Sequence, residues 1–437
     1  MIAWIPIVLY LFYRYPAHKA VIISFIVAWL FLPQKAGFSF SGIPDYERMS
    51  ATVYGILFAS SIYDSGRFRQ FRPSWLDLPM LVWCICPLFS SLSNGLGIYD
   101  GISQILLQTM SYGGPYFLGR LYLNNLAKIR FLAIAIFISG LAYVPLCLFE
   151  ISFSPQLHRL VYGYHPHSFA QSIRYGGYRP VVFMQHGLAV SMWMMAATLI
   201  GIWLWKTRAI ESISGIHIRW LVGILLATFI LLKSTGAYGL LVIGIGILFF
   251  AWQFRTSLAL TILVISMFFY LQQSVSANST SFEQIISTLE NVIPADRIQS
   301  LEYRLENEEK LTVKAAERKI FGWGGWGRNR ITKYDDWTGQ LIDEAATDSL
   351  WIIAFGTNGL VGLISLYGSI LLPVLWFSIF YLPATTWSNP KVAPAAVIVV
   401  VITLFMLDCL LNDMPNPVFY LAAGGITGLM SGENRIG

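Results

Sequence analysis

SLEYRLENEEKLTVKAAERKIFGWGGWGRNRITKYDDWTGQLIDEAATDSLWIIAFGTNGLVG, residues 300–362, is the stretch whose reading decides the fold. It is the most polar part of the chain and lies between two blocks of apolar segments. It holds Arg304, Arg318, Arg328, Arg330, a Gly/Trp run and Asp348. A chain with one long polar insert among apolar runs reads as a membrane bundle with a single sizeable aqueous lobe. The chemistry is expected in that lobe.

Composition agrees. The 437 residues are 56% hydrophobic and only 12% charged, with a mean hydropathy of +0.61. Soluble domains carry about a quarter charged residues, so the chain reads as a polytopic integral membrane protein. The formal charge is +6, but no basic run of five or more residues exists, which argues against nucleic acid as a partner. Cys84, Cys86, Cys147 and Cys409 all lie in apolar runs and read as small buried hydrophobes, not as disulfides or a metal site. The opening MIAWIPIVLYLFYRYP has no basic segment before its apolar run and no small-residue cleavage site, so it is expected to be a retained helix.

Outward from the polar stretch, apolar spans are expected at 2–13, 19–33, 49–63, 75–93, 101–120, 129–149, 180–205, 218–233, 237–253, 257–273, 359–382, 393–411 and 416–431. The first two are short, so the expectation is an all-α bundle of about 12–13 transmembrane helices. Basic residues gather in alternate connections: Arg67, Arg69 and Arg72; Arg120, Lys128 and Arg130; Lys206, Arg208 and Arg219; Arg255; Lys391. By the positive-inside rule these face the cytoplasm. Connections 150–179 and 274–358 then face outward. Residues 1–437 read as one membrane domain, with 274–358 as its large outward loop, too short to bury much of a core of its own.

Within that loop, Ser300–Ile320 reads as an amphipathic helix with Leu301, Leu305, Thr312, Ala316 and Ile320 as its apolar stripe. The glycines after Phe321 end it. A second short helix is expected near Asp348, with Thr347 as N-cap.

Three constellations carry chemistry. Arg174, Arg179, Arg304, Arg318, Arg328 and Arg330 all fall on the outward side. A guanidinium forks two donors toward phosphate oxygens; equally, these arginines suit pairing with Glu302, Glu306, Glu308, Glu309 and Glu317. GWGGWGR, residues 322–328, offers consecutive N–H groups for an anion nest and two indoles, Trp323 and Trp326, for sugar faces or a membrane interface. It is not a nucleotide loop, because no Lys-Ser/Thr follows it. His158, His165 and His167 lie in the first long loop, and His186 is expected about two turns into the next span, as a bundle histidine or a substrate-binding one. Their spacing suits no metal. Asp348, Asp343 and Glu344 are candidate general bases. Asp45 and Glu47, in the connection 34–48, are a minor candidate for a catalytic carboxylate.

The order of these pieces resembles the O-antigen ligase and O-antigen polymerase superfamily, the multi-spanning bacterial enzymes of surface polysaccharide assembly. Arg304-Leu305 begins a helix like that family's Arg-xxx-Leu element. Lys319-Ile320-Phe321-Gly322-Trp323-Gly324 resembles its turn, and Arg328 falls where its second arginine stands. Tyr178-Arg179-Pro180 with His186, Lys233-Ser234-Thr235-Gly236-Ala237 and Gly119-Arg120 are similar to further family features. The likeness covers about 100–437, with 179–362 its strongest part. One departure matters: the family's His-x10-Gly element has Asp348 in place of its histidine, and a carboxylate deprotonates a hydroxyl but repels a diphosphate.

The resemblance implies a membrane glycosyltransferase in the bacterial inner membrane, its large loop periplasmic. It would move a glycan from a polyprenyl diphosphate carrier to an acceptor hydroxyl on a lipid or another glycan, with no cofactor, nucleotide or metal. Arg179, Arg304 and Arg328 would hold the diphosphate and Asp348 would serve the acceptor. His186, Arg330, Trp323 and Trp326 would contact substrate. A polymerase of the same superfamily and a small-solute transporter, with Asp408 and His186 marking a pathway, are the alternatives.

Overall fold

The computed structural model describes residues 2–38, 45–174, 176–276, 295–334, 341–345 and 349–431. Helix dominates it, as the apolar runs demand. Each expected span overlaps helix, although the span 180–205 becomes helical only from Gly187. Among the described residues, six helices are long and apolar enough to cross a membrane: Trp75–Ser93, Leu126–Phe153, Gly187–Lys206, Thr235–Phe254, Leu258–Val275 and Leu350–Tyr381. Five shorter apolar helices accompany them: Trp4–Arg14, Ala17–Phe31, Ile218–Leu231, Ala393–Asp408 and Pro417–Ser431. Pro16 separates the first two of these, so residues 4–31 form two helices. The expected span 101–120 is a helix Ile98–Gln108, a π-turn at 109–113 and a helix Gly114–Tyr122.

The helix Gly187–Lys206 runs through the middle of the bundle, with 89% of its most apolar window buried. It is apolar on every face, as a helix surrounded by others must be. The helix Ala393–Asp408 packs on it and is buried likewise. By contrast, Leu258–Val275 turns Leu258, Ile262, Ile265 and Phe269 outward, a one-sided burial that fits a lipid-facing position. The four cysteines are buried and unpaired.

Glycine sets the closest crossing. A Cβ on Gly119 would lie 2.0 Å from the Leu421 carbonyl oxygen, and one on Gly424 1.9 Å from that of Tyr116. The helices Gly114–Tyr122 and Pro417–Ser431 therefore touch backbone to backbone, as small residues allow in membrane bundles. Near this crossing Arg120 grips Asp77 through Nε at 2.7 Å and Nη2 at 2.9 Å.

Among the described residues, strand is confined to two-stranded antiparallel ribbons. Ile173–Arg174 pairs with Gly177–Tyr178, Ser212–Ile213 with Ile216–His217, and Thr332–Tyr334 with Leu341–Asp343.

Candidate functional site

The polar stretch begins with the helix Ala295–Ala316. Its buried face differs from the expected one. Asn307, Glu308, Leu311, Thr312 and Ala315 are buried, whereas Ala316 and Ile320 are exposed. The reason is Glu308, which turns inward and accepts from Tyr270 Oη at 3.2 Å, from Trp351 Nε1 at 3.3 Å and from Ser349 Oγ. Burial raises its pKa above the ordinary carboxyl value, and the three donors offset only part of that. A polar residue thus anchors the face that apolar periodicity assigned elsewhere.

The chain after this helix is clasped into a break in the helix Leu350–Trp376. Gly359 has φ 64° and ψ −162°, so the helix parts there. The amides it frees are taken by the loop: Leu360 N donates to Lys319 O at 2.9 Å and Val361 N to Ile320 O at 3.3 Å. The freed carbonyls are taken too. Trp323 N donates to Gly356 O at 2.8 Å, Gly324 N to Thr357 O at 2.9 Å, and Ser90 Oγ to Thr357 O at 2.8 Å. Two N–H groups of the expected anion nest are therefore spent on the helix. Trp323 is likewise committed to packing, its indole donating to Lys314 O at 2.8 Å beneath the cations of Lys314 and Arg318. Trp326, at 65% exposure, remains open. The helix expected to start near Asp348 is this long element, which begins at Leu350 with Ser349 as its N-cap. Asp348, like Thr347, lies outside the described residues.

Arg328 leaves the glycine run and forms a two-pronged ion pair with Asp100, Nη2 to Oδ1 at 2.9 Å and Nη1 to Oδ2 at 3.2 Å. Ser91 Oγ adds a donor to Asp100 at 2.7 Å. Burial pushes this carboxyl's pKa up, but the hydrogen bonds from Arg328 and Ser91 outweigh it and hold it below the usual range. Arg330 pairs with Asp343 at 2.9 Å across the exposed ribbon.

A second group gathers around the start of the helix Gly187–Lys206. His186 is its N-cap, not a residue inside it, with Nδ1 accepting from Leu188 N at 3.0 Å. The apolar run 180–185 is not helical because Glu150 holds the amides of Val181 and Val182 at 2.8 and 2.7 Å. Since Nδ1 accepts, Nε2 carries the proton and donates to Gln171 Oε1 at 3.1 Å. Gln171 O in turn accepts from Arg179 Nη2 at 3.3 Å. Arg179 is buried at 5% exposure and lies against Gly187, where a Cβ would stand 2.7 Å from its Nε. His167 stacks on His186 with ring centres 4.4 Å apart. Burial, then the charges of Arg179, His167, Arg174 and Arg304, push His186 down to about 3, so it is neutral near pH 7. Arg304 also donates to Leu411 O at 3.4 Å.

The fold thus brings Arg179, His186 and Arg304 into one electrostatic neighbourhood, joined by Arg174 and His167. Arg328 and Arg330 are engaged elsewhere, on Asp100 and Asp343. Two residues escaped sequence reasoning, Asp100 and Gln171, and Glu308, expected as a partner for arginine, turns inward instead. Only Asp100 left a trace, as an acidic residue beside the outer end of an apolar run. Among the described residues no three His, Cys, Asp or Glu side chains converge as a metal site. No family model and no curated protein matches the sequence.

Proposed function

We propose that this chain transfers a glycan from a polyprenyl diphosphate carrier to an acceptor hydroxyl at the outer face of the bacterial inner membrane, in the manner of an O-antigen ligase. The observation that carries the reading is the convergence of Arg174, Arg179 and Arg304 on an uncharged His186 at the N-terminal end of a long apolar helix. Three cations beside the positive end of a helix dipole suit a multiply charged anion. Their place at the end of an apolar bundle suits an anion that brings a lipid tail. The likeness of residues 179–362 to the ligase superfamily supports the same reading.

In this reading Arg179 and Arg304 grip the diphosphate and offset the charge that grows on it. The bond between the anomeric carbon and the phosphate oxygen breaks, and polyprenyl diphosphate departs. The acceptor oxygen bonds to the anomeric carbon, and its proton passes to Asp348 as base. Neutral His186 donates through Nε2 and keeps Arg179 and Gln171 in register. Arg328, clamped on Asp100, positions the loop. Trp326 meets the sugar.

The test is transfer by purified protein from a defined polyprenyl-diphosphate oligosaccharide, with EDTA and without nucleotide. Transfer to a distinct acceptor is the expected result. Chain lengthening on the carrier makes the enzyme a polymerase. No release of polyprenyl diphosphate with any acceptor overturns the reading in favour of a transporter.

A further inference from the structure

A groove of about 680 Å³ is walled by the C-terminal halves of the helices Gly187–Lys206 and Thr235–Phe254. His186 caps the opposite end of Gly187–Lys206. The end of the groove at Lys206 is therefore about 30 Å of helix away from the Arg179 cluster. It is separate from the proposed transfer site, and its argument does not depend on that reading. Its volume is in the range of small-molecule sites.

The walls divide by polarity. Leu199 and Ile202 of one helix and Ile245, Leu248 and Phe249 of the other line the inner part. Lys206, Arg208, Glu211 and His217 line the end. Leu199 stands seven residues before Lys206, and Ile245 seven before Trp252, so the apolar walls run about 10 Å along both helices. Phe249 is exposed on the open side, where a membrane-spanning bundle meets acyl chains. Trp205 and Trp252, also exposed, stand where apolar wall gives way to charge, the usual depth of indoles at a headgroup layer.

The charges at that end are unspent. Among the described residues Lys206, Arg208 and Glu211 make no ion pair. Lys206 lies over the Trp252 ring at 4.5 Å. That contact ties the two walls together and leaves ammonium hydrogens for an acceptor. His217 Nδ1 accepts from Arg219 N at 3.4 Å, so Nε2 is a further donor. Two cations against one carboxylate leave an excess of one positive charge, which matches a headgroup with one net negative charge. A polyanion would be repelled by Glu211, and a small soluble phosphate has no use for the apolar walls. Lys206 and Arg208 belong to the connections expected at the cytoplasmic face, and basic pockets between helices on that side hold lipid headgroups. We propose that this groove binds one anionic phospholipid, its phosphodiester on Lys206 and Arg208 and one acyl chain along Leu199, Ile202, Ile245 and Phe249.

The test is native mass spectrometry of the detergent-solubilised full chain titrated with dioleoyl phosphatidylglycerol, dioleoyl phosphatidylcholine or glycerophosphate. One equivalent of phosphatidylglycerol is expected to bind about tenfold tighter than either of the others. Replacing both cations, Lys206→Gln with Arg208→Gln, should bring phosphatidylglycerol down to the level of phosphatidylcholine. Lys391→Gln, which removes an exposed cation outside the groove, should leave its binding unchanged. If the double variant does not fold, Arg208→Gly carries the test. Arg208 has φ 54°, a conformation that glycine adopts freely, so this variant keeps the backbone and should still weaken phosphatidylglycerol severalfold. Equal binding of phosphatidylcholine, equal binding of glycerophosphate, an equal loss in Lys391→Gln, or full affinity in a folded groove variant each overturns the proposal. Binding is read without transfer. A chain that transfers glycan but does not select phosphatidylglycerol loses this inference only, and one that selects it but never transfers loses only the enzymatic reading.

Discussion

Arg328 and Asp100, 228 positions apart, are joined by two parallel hydrogen bonds of 2.9 and 3.2 Å. The pair fastens the glycine loop to the first turn of the helix Ile98–Gln108. Arg328 is about one-third exposed, so solvent screens part of the attraction. A double-mutant cycle of Asp100→Ala and Arg328→Ala, followed by thermal unfolding in detergent, should give a coupling of about 1 kcal/mol. Additive effects of the two substitutions would show the pair to be passive.

Gly322 and Gly359 face each other where loop meets broken helix. A Cβ on Gly322 would lie 2.6 Å from the Gly359 amide, and one on Gly359 2.2 Å from the Ile320 oxygen; both residues also have positive φ. Strain and overlap act together, so Gly359→Ala should cost about 2 kcal/mol or more. Gly246→Ala is the control. It lies in the helix Thr235–Phe254 with nothing near its absent side chain, and should be neutral or stabilising by up to about 1 kcal/mol. Melting temperatures of the two variants decide; equal shifts would remove the clasp.

Much of this bundle was legible because an apolar run of membrane length leaves few alternatives to helix. What escaped depends on polar contacts between distant residues. The run 180–185 reads as helix until Glu150 takes its amides. The face of the helix Ala295–Ala316 reads wrongly because its anchor, Glu308, is a carboxylate that apolar periodicity ignores. GWGGWGR reads as a nest of N–H groups for an anion, but two of those amides close on the chain's own broken helix, which lies some thirty residues on. The arginines were visible as types; only folding sorts Arg179 and Arg304 from Arg328 and Arg330.

His186 gives a pH dependence. Its folded value is pushed down to about 3 from an ordinary 6.5. Between those values the unfolded chain binds the proton more readily, so stability falls as pH drops from about 6.5 toward 3 and is fully present above 6.5. His186→Asn keeps an N-cap acceptor but cannot titrate. Unfolding of both proteins across this range should show the gap between them narrowing, then reversing, as the medium acidifies. Parallel pH profiles would show that His186 keeps its ordinary basicity in the fold.

Glu308 separates charge from hydrogen bonding. Glu308→Gln keeps an acceptor for Ser349, Trp351 and Tyr270 while removing a buried charge, so stability should change by less than about 1 kcal/mol. Glu308→Leu strands three donors and should cost about 2–4 kcal/mol. The raised value of the parent carboxyl has a matching sign. The native state holds the proton more tightly, so the parent gains stability relative to the Gln variant as pH falls through the Glu308 titration. Equal melting of the Leu and Gln variants would show the hydrogen bonds to be unimportant.

Arg179, Arg304 and Arg328 have different standing in glycan transfer. Arg179 and Arg304 act at the diphosphate, so Arg179→Ala and Arg304→Ala should each lower transfer about 10²–10³-fold, the usual cost of losing one preorganised group that meets developing charge. Lysine at either position keeps the charge but not the fork and should restore only part of it. Arg328→Ala acts through the loop; its loss of transfer should track its loss of thermal stability and be reproduced by Asp100→Asn. Asp348→Asn should depress transfer while leaving carrier binding intact, and Asp348→His should keep some activity, because an imidazole also takes a hydroxyl proton. Initial rates against carrier concentration sort these cases. Unimpaired rates in both Arg179→Ala and Arg304→Ala would move the diphosphate to another site, and full activity in Asp348→Asn would remove the carboxylate from the proton's path.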